Sequence, residues 1–390
     1  MSNTNQKPAK KKHALAIVIA WTLVMALLAV GCYLGGKNYY DKSLEQAQAD
    51  LQEQQAEAEA TNAALQEEYA VALAQFEAET SSGANLAWPA QKTEGWDVVD
   101  LTSYPLENVS TTTMTRAETM NNGMLLVNEF HSRPDDFDDS AVVSLQTYTK
   151  KADLVIKCKD NTIKMFPVAI DALSECLKAA KELGYENYVP WVGYRTWDEQ
   201  NTLFQEEMAK HASRYSGDAL IARTKQSVNY PGTSEYNSGL SCLIRLYKSG
   251  DSTVNNKKFF ESDEGIWLYE NSWRYGLVFR FPLADYPVKG TADKSYKTGV
   301  SLQLQTFRYV GKGNAAVMHT LDLCLEEYIE YLMEHPHIAV FEDGQLKYEI
   351  YREYVGDADT FEVSLCGSSG VRSHTTSLDN MGYVITVFEY

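Results

Sequence analysis

The chain has 390 residues and a formal net charge of −18; that acid excess excludes a general nucleic-acid binder, which needs clustered Lys and Arg. Hydrophobic residues at 44% and aromatics at 12% exclude disorder throughout. Six Cys without a C-x-x-C pair exclude a disulfide scaffold and a zinc ribbon.

Residues 1–13 hold Lys7, Lys10, Lys11 and Lys12 and no acid. Residues 14–34 are apolar apart from Thr22 and the small Gly31. At about 1.5 Å per residue this run covers roughly 30 Å, the thickness of a bilayer's hydrocarbon core. The Lys cluster before it predicts a cytoplasmic tail, an uncleaved single-pass transmembrane helix over 14–34 and an exported remainder. A cleaved signal peptide would have a shorter apolar run and an Ala-x-Ala site. Ala29-Val30-Gly31 before Cys32 leaves lipidation of that Cys as an alternative.

Residues 41–80 are rich in Ala, Glu and Gln and contain no Gly or Pro, which favours helix. Leu44, Leu51, Ala58, Leu65 and Ala72 recur every heptad, whereas the second stripe holds Gln54, Thr61, Glu68 and Gln75. A helical stalk over 38–80 is predicted, either a coiled coil that could make the chain a homo-oligomer or a solvated single helix. Ser81-Ser82-Gly83 opens a linker over 81–95.

From residue 96 the pattern is α+β. Lys151–Cys158 reads as a strand. Pro167 opens a helix that Gly184 closes, with Ile170, Leu173, Leu177 and Ala180 on its buried face. Thr196 and Glu199 form a capping box at the start of a second helix. Strands are predicted at Gly239–Tyr247 and Leu277–Phe281, a helix at Ser262–Tyr275 with Gly276 as its stop, and one long helix over 313–335 ended by Pro336. The alternation from Gln345 to Tyr390 predicts a small β appendage, so a domain over 96–337 would be followed by one over 338–390.

Five stretches carry a resemblance. They are Gly193-Tyr194-Arg195-Thr196-Trp197-Asp198-Glu199-Gln200, Pro231-Gly232-Thr233-Ser234-Glu235-Tyr236-Asn237-Ser238-Gly239-Leu240, Trp273-Arg274-Tyr275-Gly276-Leu277-Val278-Phe279-Arg280-Phe281-Pro282, Tyr296-Lys297-Thr298-Gly299-Val300, and Phe307-Arg308-Tyr309-Val310-Gly311. In this order they resemble the VanY-like D-alanyl-D-alanine carboxypeptidases, zinc enzymes that trim the terminal D-Ala from peptidoglycan stem peptides. The resemblance spans roughly residues 120–335 and implies a small antiparallel sheet with flanking helices. In the family, S-x-H-x-x-G-x-x-x-D supplies two zinc ligands, and E-x-x-H before F-R-Y-V-G supplies the general base and the third ligand. Those positions here are Tyr236, Leu243, Gln303 and Thr306.

A catalytic zinc needs three protein ligands and an open position. Leu donates nothing, neutral phenol and hydroxyl are poor ligands, and Gln cannot accept a proton. The expectation is therefore no cofactor, no catalytic residue and a site repacked as a dry core. His131, His211, His319, His335 and His374 are scattered, and Cys242 sits in an apolar strand pattern. Arg195, Gln200 and Ser234 match pocket positions of the family, and Tyr194 and Tyr236 offer aromatic surface. These five are the expected ligand-binding residues, and Trp191, Trp197 and Tyr309 could add to that surface. The implied function is a membrane-tethered, non-catalytic binder of a peptidoglycan stem peptide or a cell-wall protein. An active peptidase with a non-standard site, and a docking module on a self-associating stalk, are the alternatives.

Overall fold

The computed structural model describes residues 93–390 except Asp153, together with the isolated residues Met25, Lys42 and Gln46. Apart from those three residues, the predicted membrane helix and the stalk fall outside the described residues, as does most of the linker. Among the described residues no helix is long and apolar enough to cross a membrane.

Strands β1 (Trp96–Asp100) and β2 (Ser110–Thr115) precede the first long helix, α1 (Pro167–Glu182). Pro167 takes the first helical position, where its missing N–H costs no bond. Ile170, Leu173, Leu177 and Ala180 are all buried, as their spacing predicts. Strand β3 (Tyr188–Val192) leads into α2 (Trp197–His211), whose first turn is closed by the Thr196–Glu199 capping box. Then come α3 (Gly217–Lys225), β4 (Ser241–Leu246), α4 (Asp263–Asn271), β5 (Leu277–Phe279) and β6 (Thr306–Tyr309). The predicted helix at Ser262–Tyr275 is present as α4 capped by Ser262, with a 3-10 turn carrying it to Gly276.

These strands make a four-stranded antiparallel sheet in the order β3-β4-β6-β5. Side chains alternate across a strand. Cys242 and Ile244 therefore join Ile170 and Leu173 of α1 in one core, and Leu243 faces the other way. The expected α+β class, with antiparallel sheet and flanking helices, is what the fold shows.

Helices α5 (Lys312–Leu321) and α6 (Leu325–Glu334) follow, then β7 (His337–Glu342), β8 (Gln345–Tyr354), β9 (Thr360–Leu365), β10 (Ser373–Leu378) and β11 (Tyr383–Glu389). A five-stranded sheet runs β1-β7-β8-β11-β10, and β9 pairs with β2.

Three expectations change. The predicted Lys151–Cys158 strand is absent from the described residues there: Thr149 Oγ1 takes the Ile156 N–H at 3.1 Å, and that local bond competes with a ladder. The single long helix over 313–335 is two. Asp322 stands at φ 56, Leu323 N–H turns back to the Met318 carbonyl at 2.8 Å, and Glu327 accepts from Cys324 N–H at 3.0 Å. The break lets Leu325, Tyr328 and Ile329 of α6 share a core with Val317 and Leu321 of α5. The tail over 338–390 is no separate appendage. β7 pairs with β1 from Trp96↔Glu342 to Asp100↔Ile338, and Val340, Ile350 and Ile385 join the same core as α5 and α6.

Candidate functional site

The site forms where the turn after β3 meets the loop before β4. Asn237 is the hub. Its Nδ2 donates to the Arg195 carbonyl at 2.8 Å, its Oδ1 accepts from Ser234 N–H at 3.2 Å, and Arg195 N–H donates to the Tyr236 carbonyl at 3.0 Å. Gly239 turns the chain into β4 at φ 71, where a Cβ would stand 2.7 Å from the Phe166 ring. Arg195 and Tyr236 are thereby fixed side by side, the guanidinium 4.8 Å over the phenol ring.

A cleft of about 410 Å3 opens above them, with Arg195, Gln200, Ser234, Tyr236 and Leu243 in its wall. Tyr236 and Leu243 are its filled floor. The Tyr236 hydroxyl is hydrogen-bonded to Thr306 Oγ1 at 2.8 Å, and Leu243 lies directly across the ladder from Thr306. Burial pushes the Tyr236 phenol up to about 12, against the opposing influence of Thr306 and Arg195. At neutral pH it is a neutral phenol. The residues at the family's zinc positions do not fit a metal ion: a phenol and a hydroxyl satisfy each other, and the third side chain is aliphatic. Among the described residues no group of three His, Cys, Asp or Glu is placed to hold one.

Arg195 is the reactive feature of the cleft. Its Nη1 donates to Gln200 Oε1 at 3.1 Å, and Gln200 Nε2 is held by the Asn229 carbonyl at 2.8 Å. No carboxylate pairs with it among the described residues. Burial draws its pKa down, with Tyr236 and Glu199 opposing, and the group stays a cation. A half-buried cation bonded only to a neutral amide, facing an open cleft, suits a carboxylate. Lys225 also lines the cleft and pairs with Glu129 at 2.7 Å.

Beside the floor, two residues along from Leu243 and Thr306 at the Ser241↔Arg308 pair, lies a buried ionic cluster that motif reasoning missed. Glu235 Oε1 accepts from Arg308 Nη1 at 2.6 Å and from Ser241 Oγ at 2.6 Å, and its Oε2 accepts from Arg280 Nε at 2.7 Å. Arg280 grips Glu326 with two bonds of 2.9 and 2.6 Å. Burial pushes the Glu235 carboxyl up, but Arg308 and Arg280 outweigh it and the net direction is down. Phe-Arg-Phe and Phe-Arg-Tyr in strand-like runs were the available signal, since a charge between buried aromatics needs a partner.

The expected residues divide. Arg195, Gln200, Ser234, Tyr236 and Leu243 meet at the cleft, and Thr306 lies under it. The dry repacked core is corrected: the floor is filled, yet the cleft above it stays open. Tyr194 is corrected as a cleft residue. It points away, its hydroxyl donating to Asp139 Oδ2 at 2.5 Å and accepting from Arg133 Nη1 at 3.0 Å, because adjacent residues of an extended chain alternate in direction. Gln303 is exposed and outside the lining. Among the described residues no His lines the cleft. Cys242 is buried, and desolvation pushes its thiol well up.

The family model for VanY, D-alanyl-D-alanine carboxypeptidase, matches residues 162–312. The D-alanyl-D-alanine carboxypeptidase of Enterococcus faecium is 30% identical over 285 residues, 72% of this chain and 80% of the relative. YodJ of Bacillus subtilis, which bears a carboxypeptidase name, is 30% identical over 211 residues, 54% of this chain and 67% of the relative. Among solved structures, the vancomycin resistance D,D-dipeptidase VanXYg, in complex with a D-Ala-D-Ala phosphinate analogue, has a TM-score of 0.52 at 21% identity, covering 72% of this chain and 99% of that one. This last likeness is one of fold.

Proposed function

The chain belongs to the VanY family of D-alanyl-D-alanine carboxypeptidases, and from that premise we propose that it is a non-catalytic member that binds the carboxylate end of a peptidoglycan stem peptide. One observation carries the reading: Tyr236 and Thr306 are bonded to each other at 2.8 Å, beside Leu243, where the family keeps zinc ligands. The retained Arg195 and Gln200 supply recognition without hydrolysis. The Arg195 fork takes the terminal carboxylate, and the backbone bonds through Asn237 hold it in place. Gln303 at the family's base position has no proton-accepting group. The reading includes a single-pass anchor over 14–34 with the folded unit outside the membrane, resting on the Lys cluster and the apolar run.

The test measures three things on the full-length chain: zinc content after exposure to excess zinc, D-Ala release from a peptide ending in D-Ala-D-Ala, and calorimetric binding of that peptide. Binding without zinc retention or release is expected. Stoichiometric zinc with turnover would overturn the proposal, and so would release that depends on Tyr236 or Arg195.

A further inference from the structure

The four-stranded sheet ends at β3. Tyr247 N–H donates to the Asn187 carbonyl at 2.9 Å, and the register then runs Tyr188↔Leu246 and Val189↔Arg245. In an antiparallel ladder, alternate residues turn their backbone groups outward. Tyr188 and Pro190 are those residues here. Lys159 N–H closes on the Pro190 carbonyl at 3.0 Å, whereas the N–H and C=O of Tyr188 have no partner among the described residues. Residues 154–158, which do not pair with the sheet, form with Tyr188 and Val189 the walls of a groove of about 530 Å3.

The groove reverses the charge of the chain around it. Lys157, Lys159, Lys181 and Lys248 line it, with Glu186 as its acid. Lys159 lies 4.0 Å from Asp160 and Lys248 lies 3.6 Å from Asp251, while Lys157 and Lys181 have no ion-pair partner among the described residues. Apolar surface is supplied by the exposed Val155 and Tyr247.

We propose that this groove docks an acidic polypeptide segment of a partner protein. The segment adds as a strand to β3 through the backbone of Tyr188, and its carboxylates meet the four Lys. A peptide is favoured over a phosphate or glycan polymer because Tyr188, though only 7% exposed, turns to the groove a backbone donor and acceptor that a second backbone satisfies. The site is separate from the cleft and does not depend on what the cleft binds.

The probe is a labelled, acetylated peptide of about six residues, a common strand length, alternating Glu with Val. It is titrated into the full-length chain by fluorescence anisotropy. Saturable binding is expected, weakened about tenfold by the exposed pair Lys157→Glu and Lys181→Glu and unchanged by Arg195→Ala. Methylation of alternate peptide amides should abolish it, and hydrogen exchange at the Tyr188 amide should slow in the complex. No saturable binding would overturn the proposal. So would a methylated peptide that binds equally well, or inorganic polyphosphate that binds as tightly while Tyr188 exchange is unmoved, because either would mark a simple cationic patch.

Discussion

Replacing Glu235 by Gln keeps its shape and deletes one charge from a cluster of two carboxylates and two guanidiniums. Glu235 is 4% exposed, Arg280 1% and Arg308 0%, so solvent screens little of the change. Arg280 keeps its bidentate grip on Glu326. Arg308 is left with the carbonyls of Gly123, Leu125 and Tyr309, all neutral. Breaking a buried pair in this way costs about 3–5 kcal/mol. A domain's whole stability is roughly 5–15 kcal/mol, so the variant sits near the edge of folding at neutral pH. Urea unfolding followed by tryptophan fluorescence measures it, with exposed Glu334→Gln as the control. The midpoint should fall sharply at unchanged slope. The folded carboxyl is held below its unfolded value, so its contribution is present above about pH 4.3 and fades as pH drops through the folded value. The two curves should therefore converge in acid. A Glu235→Gln variant within about 1 kcal/mol of the parent at pH 7 would refute the reasoning, since the bonds to Arg308 and Arg280 would then be worth no more than neutral ones.

Arg195→Ala should weaken binding of a peptide carboxylate by about 2 kcal/mol and leave an amidated peptide unaffected, read by calorimetry. Tyr236→Phe leaves the fully buried Thr306 hydroxyl without its partner and should cost about 1–3 kcal/mol in a urea titration. Tyr236→His, Leu243→Asp and Thr306→His together should confer zinc retention through dialysis, because the three positions already converge; failure to retain zinc in a folded variant would count against that convergence. His337 donates to Glu349 at 2.7 Å and to the Tyr104 carbonyl at 2.7 Å; burial pushes its pKa down, yet these partners raise it overall. Its stabilisation is full below about pH 6.5 and is lost as pH rises through the folded value, so His337→Gln should flatten the unfolding midpoint across that window.

Much of the sheet-and-helix core was legible because it is written locally. Pro167, the Thr196–Glu199 box and Gly276 each fix a boundary through one residue's chemistry. The filled floor was legible through fixed spacing: a motif that places Tyr236 and Leu243 seven apart also brings them together there. What escaped was set by distant partners. Periodicity runs unbroken across Asp322, so nothing nearby announces the turn between α5 and α6. The direction of Tyr194 follows from Asp139 and Arg133, and the pairing of Glu235 with Arg308 and Arg280 spans 73 and 45 positions. The open cleft could not be read at all, since a filled floor and a filled cavity need the same substitutions.

The ladder between β1 and β7 limits how the molecule can be shortened. A fragment ending at residue 337 would keep every cleft residue, yet it would strip β1 of its neighbour and bare the sides of Val317, Tyr328 and Ile329 that the last strands cover. Such a product would carry a sticky, unpaired edge and an oily flank, and its clumping would say nothing about the cleft.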